Sequence, residues 1–433
     1  MALHLQTNPF DLRRAAADGV VLGFPLLLVD AVRRTHPVGI NQVLALPDDC
    51  SVIAPGLTDD DALIVRASAW IDLSEGPMLL ALPDLGGRYW SVSLFDAWGQ
   101  RIGRVDPRPH QRGLDMVLVG PGWRGEAPKD AVARRSPTNL VWAVVRIAAR
   151  GAGDLETARG LVRKLALGPA QPAGGRLRPL SGQVDPPLQP ALDALTTLSP
   201  HRLFHHLARL LARYPPGDDL DLGALAGIGV APGKAFHLPD ETALREALAL
   251  GAADGFARVI HDHDPADGAV WRVVPSLSAP ASALLASLGA AAPEDVQQWI
   301  CDSDAEGRPL IGSEPYVIRF APGATPPVDG FWTLGLAVRA ASGALRAVTR
   351  HIDSREALAF EPDGGLVLRI DHQPPDPPGA WLPAPPGRLR LRLKLYWPKA
   401  AALAGGWRPP APERIGGSRR SATVHPENRE SPL

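Results

Sequence analysis

The chain has 433 residues, 45% of them hydrophobic, enough to fill the cores of two or three domains. Its 45 basic and 46 acidic residues leave a formal net charge of −1, which excludes a dedicated nucleic-acid binder with an overall basic surplus. Two cysteines, Cys50 and Cys301, are too few for a disulfide scaffold and stand at no metal spacing, while 43 glycines and 46 prolines favour turns and strands over a helical bundle.

Residues 1–19 carry acidic side chains and no apolar run that ends in a cleavage site, so no signal peptide is expected. The apolar stretch from Val20 to Val29 is too short to span a bilayer and contains Pro25. The expectation is a soluble, cytoplasmic protein with no membrane partner. Residues 11–33 have Leu and Val at helical spacing, but Gly23 and Pro25 interrupt them, which predicts a kink or two short helices.

From about residue 50 the runs "ALIVRASAWIDLS", "PMLLALPD", "RYWSVSLFDAWG" and "LDMVLVGPGW", separated by turn signals, predict the strands of an antiparallel sandwich. Over 136–167 the pattern turns helical: "SPTNLVWAVVRIAARG" offers Ser136 as an N-cap with Pro137 in the first turn, and "DLETARGLVRKLAL" follows. After a surface segment rich in Pro and Gly at 168–195, helices are predicted in "SPHRLFHHLARLLARYPP", "DETALREALALGAADGFARVIHD" and "APASALLASLGAA". From about Tyr316 strands return in "YVIRF", "FWTLGLAVR", "GLVLRIDH" and "RLRLRLKLYW". The fold class is therefore α+β, mainly β: an N-terminal β-sandwich with a leading helix over 1–135, a mainly helical region over 136–309 and a C-terminal β domain over 310–410. Residues 411–433 lack an apolar stripe and read as a disordered tail.

Several of these stretches together resemble the paired domain-of-unknown-function families numbered 1254 and 1214. The N-terminal resemblance lies in "GFPLLLVDAVRR", "SAWIDLS", "DAWG", "LVGPGWRG" and "RSPTNLVWAVVR". In the middle it lies in "GIGVAPGKAF", and at the C-terminus in "GRPLIGSEPYVIRFAPGATPPVDGFWTL", "FEPDGGL", "WLPAPPG" and "LKLYWPKAAALAGGW". The resemblance implies an N-terminal β-sandwich, a helical region and a C-terminal jelly roll, and carries no reaction with it. Two departures stand out. Leu63 and Arg66 occupy positions where relatives place Asp and Tyr, and residues 335–355 replace a second polar run of the family.

Each motif that could carry chemistry has a plainer explanation beside it. In "GIGVAPGKAF", Ile228 stands where a phosphate loop needs its first glycine and Ala235 where it needs a hydroxyl. His201 and His205 share a helix face without the Glu of a zinc protease and belong to a solvated stripe. His261 and His263, in "VIHDHDPADG", are the remaining metal candidates, but histidine at a helix end also complements the dipole. No resident metal and no cofactor are expected. His351, Asp353, Arg355, Asp371 and His372 could meet if their segments pair, and a His beside a carboxylate suits general acid–base work; ordinary loop and edge polarity explains them equally. No nucleophile motif is present. In "GRLRLRLKLYW" the period of two places Leu389, Leu391, Leu393 and Leu395 on a core face and Arg388, Arg390, Arg392 and Lys394 on a wetted one, so nucleic acid is not expected as a partner.

Two functional readings remain. The first is a protein that binds or transforms a small molecule in a cleft lined by aromatics such as Trp90, Trp98, Phe331 and Trp332. The second is a non-catalytic structural or assembly protein whose sandwich faces meet copies of itself, as a homo-oligomer, or a partner.

Overall fold

The computed structural model describes residues 8–35, 39–46, 63–110, 112–126, 128, 131–170, 178–179, 191–217, 220–261, 270–273, 284–285, 288–339, 345–347, 350–376 and 378–415. The first helix, α1 (Pro9–Thr35), is continuous through Pro25, so the alternative of two short helices does not occur. Pro25 removes one backbone hydrogen bond, but Phe24, Leu26, Leu27 and Leu28 around it are all buried, and that burial holds the helix together. Gly23 answers a packing need: a Cβ there would stand 2.5 Å from Leu207 Cδ2. By length and composition the 27-residue α1 could cross a membrane, unlike the shorter run read from the sequence, yet 72% of its most apolar window is buried inside the protein.

Nine strands then build two facing sheets. They are β1 (Gln42–Leu46), β2 (Ile64–Asp72), β3 (Met78–Leu82), β4 (Trp90–Asp96), β5 (Leu114–Val119), β6 (Val132–Arg135), β7 (Leu140–Ala148), β8 (Ala166–Pro169) and β9 (Arg178–Pro179), with α2 (Leu155–Val162) before β8. The first sheet has the order β1-β2-β7-β4 and the second β6-β5-β3-β8-β9. Between them lies a core that includes Val65, Ala67, Trp90, Val92, Val145 and Ile147 from one side and Leu80, Met116 and Leu167 from the other. Strand β7 overturns the helix expected from Ser136 and Pro137. All nine of its residues are buried, because a core lies on each face of the sheet. A central strand buried on both faces loses its alternation and cannot be told by pattern from a buried helix. Here Val141, Val144, Val145 and Ile147 were the better guide.

The second face of the first sheet is covered by helices: α1, α3 (Ala191–Thr196), α4 (Pro200–Arg213), α5 (Gly223–Gly227) and α6 (Thr242–His261). Helix α4 begins as its sequence predicts, with the Ser199 side chain accepting from Arg202 N and Pro200 in the first turn. α6 meets α1 backbone to backbone. A Cβ on Gly251 would lie 2.2 Å from the Arg13 carbonyl oxygen, and one on Gly255 2.7 Å from that of Ala17. Phe24 and Phe256 meet edge to face, and Arg13–Asp254 and Arg258–Asp18 bridge the pair.

The C-terminal sandwich uses β10 (Arg272–Val273), β11 (Val296–Cys301), β12 (Tyr316–Phe320), β13 (Trp332–Arg339), β14 (Leu345–Ala347), β15 (Ile352–Asp353), β16 (Leu366–Asp371), β17 (Trp381–Pro383) and β18 (Arg388–Tyr396). A short helix α7 (Ala400–Leu403) and β19 (Glu413–Arg414) follow. A six-stranded sheet, β10-β11-β18-β13-β14 with β15 also on β13, faces a four-stranded one, β17-β16-β12-β19, across a core of Leu, Ile and Trp side chains. Strand β19 pairs with β12, so ordered backbone reaches past residue 410 into the segment expected to be disordered. The rest of that segment, 416–433, lies outside the described residues. The whole is a mixed fold of several sheets with two sandwich-like bodies and a helical layer.

Strand β18 has the expected period of two, but its basic face is not wetted. Arg388 is exposed, whereas Arg390 and Lys394 are buried. Arg390 forks onto Asp302, at the end of neighbouring β11, at 2.6 and 3.0 Å, a charge-assisted bidentate pair that makes burial of the guanidinium tolerable.

Candidate functional site

The four aromatics expected to line one cleft lie in four different packing clusters. Trp90 sits in the N-terminal sandwich core and Trp332 in the C-terminal one. Trp98 borders the helical core, where its indole donates to the Tyr214 carbonyl. Phe331 belongs to a fourth, small cluster at the seam between the two sandwiches. His351, Asp353 and Arg355 stand on or beside β15, while Asp371 and His372 end β16 in the opposed sheet. Asp353 is engaged by Arg355 rather than by a histidine. His261 closes α6, and His263 lies outside the described residues. His201 and His205 stack at 5.8 Å, and no group of three metal-ligating side chains occurs among the described residues.

Three seam residues, Phe331, Tyr396 and Trp397, lie in stretches that carry the family resemblance, and the others lie outside them. From the first sheet come Ile64, Tyr89 and Ala148; from the six-stranded sheet come Val296, Phe331, Tyr396 and Trp397. Phe331 stacks on Tyr396 at 4.2 Å, and Tyr89 meets Tyr396 at 4.9 Å and Trp397 at 5.3 Å. Arg355 completes the joint. Its guanidinium lies 3.5 Å above the Phe331 ring and donates to the Ala149 carbonyl at 2.6 Å, tying one sandwich to the other.

Immediately inside the seam, the helix-facing side of the first sheet becomes polar. Register places Arg66 on β2 and Ser91 on β4 on either side of Arg146 on β7; the next row is Ser68, Val144 and Ser93. The row beyond is aromatic: Trp70 stacks on Trp142 at 5.2 Å, with Phe95 on the other side. A layer of arginine and serine is thus sealed between an aromatic seam and an aromatic floor. Arg66 and Arg146 are only 6% and 4% exposed. Arg146 donates to Ser93 Oγ and to the Gly289 carbonyl, and Trp142 Nε1 to Ser68 Oγ at 2.8 Å. The hydroxyl of Ser91, wholly buried, has no hydrogen-bond partner among the described residues. Nearby Arg101 donates to the Ala290 and Ala291 carbonyls; burial first, and the charge of Arg146 second, push its pKa down to about 10. Of the two residues expected to depart together from the family pattern, Arg66 is therefore a member of this layer, whereas Leu63 is a half-buried neighbour of the sandwich core.

A second buried polar group escaped the sequence reading. Asp30, 3% exposed on α1, accepts from Arg33 at 2.7 Å, Arg34 at 2.5 Å and His206 Nε2 at 2.6 Å. Burial pushes its carboxyl up, but the bonds from His206 and Arg33 and the two arginine charges outweigh this and hold it far below the ordinary range. The signal was present as "VDAVRR", one Asp with Arg three and four residues on, but its apolar setting read as plain core. Asp96, in "DAWG", is buried too. Its Oδ1 accepts from the Trp98 and Gln100 amides in a tight turn, and desolvation lifts its pKa to about 6.

Residues 56–169 match the family described as "Protein of unknown function (DUF1254)", and residues 295–400 match "Protein of unknown function (DUF1214)". The chain thus carries a DUF1254 segment and a DUF1214 segment, in that order. The DUF1254 segment carries β2 to β8 and the DUF1214 segment β11 to β18, so the aromatic seam is where the two family domains meet. Among solved structures, the VPA0106 protein from Vibrio parahaemolyticus is similar at 18% identity and a TM-score of 0.64, over 94% of this chain and 100% of that one. This is a likeness of the entire fold, helical layer included. An uncharacterized protein from Burkholderia cenocepacia aligns over 93% of this chain and 94% of its own at 12% identity and a TM-score of 0.44. No curated protein matches the chain.

Proposed function

We propose that this DUF1254–DUF1214 protein binds a small organic anion in the arginine–serine layer beside the seam. One observation carries the reading: the hydroxyl of Ser91, wholly buried and paired across the strands with Arg146, has no hydrogen-bond partner among the described residues. A buried hydroxyl without a partner is costly, and an acceptor group of a ligand placed beside Ser91 and Arg146 would answer it. A carboxylate suits guanidinium forks, and the serine hydroxyls of the layer, Ser91 above all, add neutral donors. The aromatic rows on either side supply the apolar walls that a small organic body needs. Self-assembly has no comparable feature in its favour.

Isothermal titration of the full chain with benzoate, citrate and inorganic phosphate tests this. The expected result is saturable binding of a carboxylate, lost in Arg146→Gln while that variant keeps its circular dichroism and cooperative melting. Equal binding by wild type and a folded Arg146→Gln overturns the reading, as does binding of none of the three anions.

A further inference from the structure

The C-terminal sandwich carries another recess, eight residues along β18 from Tyr396 and so roughly 26 Å from the seam. The loop 302–310 makes one side of it. Ser303 bridges to Pro309 within that loop, and the Leu389 amide donates to the Leu310 carbonyl at 2.9 Å, which pins the loop to the start of β18. The cleft measures about 280 Å³, and its walls include Asp302, Ser303, Pro309, Leu310, Arg388 and Leu389. That volume is at the small end of ligand cavities, which span roughly 300–1,000 Å³; it fits a small molecule and excludes a peptide or a nucleotide.

The charged side chains of these walls are already answered. Asp302 accepts the bidentate fork of Arg390 at 2.6 and 3.0 Å and lies 3.7 Å from Arg272. Arg388, and Arg339 which also borders the cleft, have partners of their own. A charged ligand would therefore give up its water for side chains that already have partners, which is costly. Ser303 differs. It is 1% exposed, and its hydroxyl has no hydrogen-bond partner among the described residues. Its backbone is held firmly: the Ser303 carbonyl accepts from Cys301 Sγ at 3.0 Å, and the Asp304 carboxylate ties the following turn to the amides of Glu306 and Arg308. The hydroxyl thus stands fixed with one donor and two lone pairs unused, in a cleft that also presents the apolar side chains of Pro309, Leu310 and Leu389. A single water, at about 30 Å³, would leave those apolar walls uncovered.

We infer that this recess binds a small uncharged alcohol, its hydroxyl paired with that of Ser303 and its carbon body laid on Leu310 and Leu389. An alcohol both gives and takes a hydrogen bond, as Ser303 does, and brings no charge that the walls would have to answer. The recess differs from the seam layer in the group that carries it and in the class of ligand it takes.

The experiment is a fluorine NMR titration of the full-length chain with 4-fluorobenzyl alcohol. Wild type gives a saturable signal. Ser303→Ala, which removes only the unmet hydroxyl and keeps its cooperative melting, weakens binding about threefold or more. 4-Fluorotoluene, with the same ring and no hydroxyl, binds wild type about threefold or more weakly than the alcohol, and 4-fluorobenzoate does not displace the alcohol. Arg146→Gln leaves the alcohol signal intact, so failure here and failure of the seam layer are told apart. The inference is overturned if no saturable signal is seen, if Ser303→Ala binds the alcohol as wild type does, if 4-fluorotoluene binds as tightly as the alcohol, or if 4-fluorobenzoate displaces the alcohol from the Arg146→Gln protein.

Discussion

Two buried charged groups flank the first sheet, and they are built in opposite ways. Around Asp30 one carboxylate is ringed by Arg33, Arg34 and His206, all within 2.7 Å, and the negative charge meets two guanidiniums. In the layer at Arg146, the guanidiniums of Arg66 and Arg101 gather instead, with serine hydroxyls and main-chain carbonyls among the acceptors. The first arrangement explains itself as a clasp between α1 and α4, because without these partners the Asp30 carboxylate would be a buried charge left alone. The second sets like charges side by side, with Asp295 and Glu294 acting on Arg101 from nearby, and a ligand of negative charge would add to their answer.

The contrast can be broken most directly at the clasp. Asp30→Ala leaves Arg33, Arg34 and His206 without their shared acceptor, and urea unfolding should register a loss of about 3 kcal/mol. A loss under 1 kcal/mol would remove the distinction. The clasp also predicts acid behaviour. Because the folded-state pKa of Asp30 is held far below its unfolded value of about 3.9, its stabilisation is complete above about pH 4 and fades as pH falls through the folded value. Asp30→Asn should accordingly flatten the stability profile below about pH 4.

Asp96 sharpens the comparison with the opposite sign. Its folded pKa, about 6, lies above the unfolded one, so the stability it contributes is present below about pH 4 and lost as pH rises through about 6. Asp96→Asn keeps an oxygen for the two turn amides and removes the charge. At pH 7 it should gain on the order of 2–3 kcal/mol, seen as a raised melting temperature and a flat profile between pH 4 and 6.

Within the arginine layer the expected effect is smaller and of a different kind. Arg146→Met removes one of the clustered charges while conserving volume, so the ligand-free protein should hold its stability or gain about 1 kcal/mol. A loss of several kcal/mol would mean that Arg146 is a clasp like Asp30. At the bottom of the scale, His201→Ala on the exposed side of α4 should change stability by no more than about 0.5 kcal/mol. Zinc should leave the melting temperatures of variant and wild type alike unchanged.

Much of the fold was legible because periodicity survives wherever one side of an element is wet or a turn bounds it. Strands β3, β12 and β16 and helix α4 follow their patterns. Legibility fails where burial is complete. Strand β7 lost its alternation, α1 passed through a proline that its surroundings overrode, and the basic side of β18 turned out to be packed. The site was less legible still. Arg66 was visible as a departure from the family, but its meaning depends on Arg146, which is separated from it by 80 residues and meets it only through strand register. Trp90 and Trp332 misled because an aromatic fills a core more often than it lines a cleft.

The glycine contact between α1 and α6 has a consequence in time as well as in space. The two helices touch only after most of the intervening chain exists, since Arg13 and Asp254 lie 241 positions apart. At about 5–20 residues per second, α1 is complete some ten to fifty seconds before its partner emerges from the ribosome. Throughout that interval the glycine-facing side of this apolar helix lacks its native partner, although the first sheet and α3 to α5 reach its other sides earlier. Synthesis of this chain should therefore depend on holding chaperones far more than its finished, well-covered form would suggest.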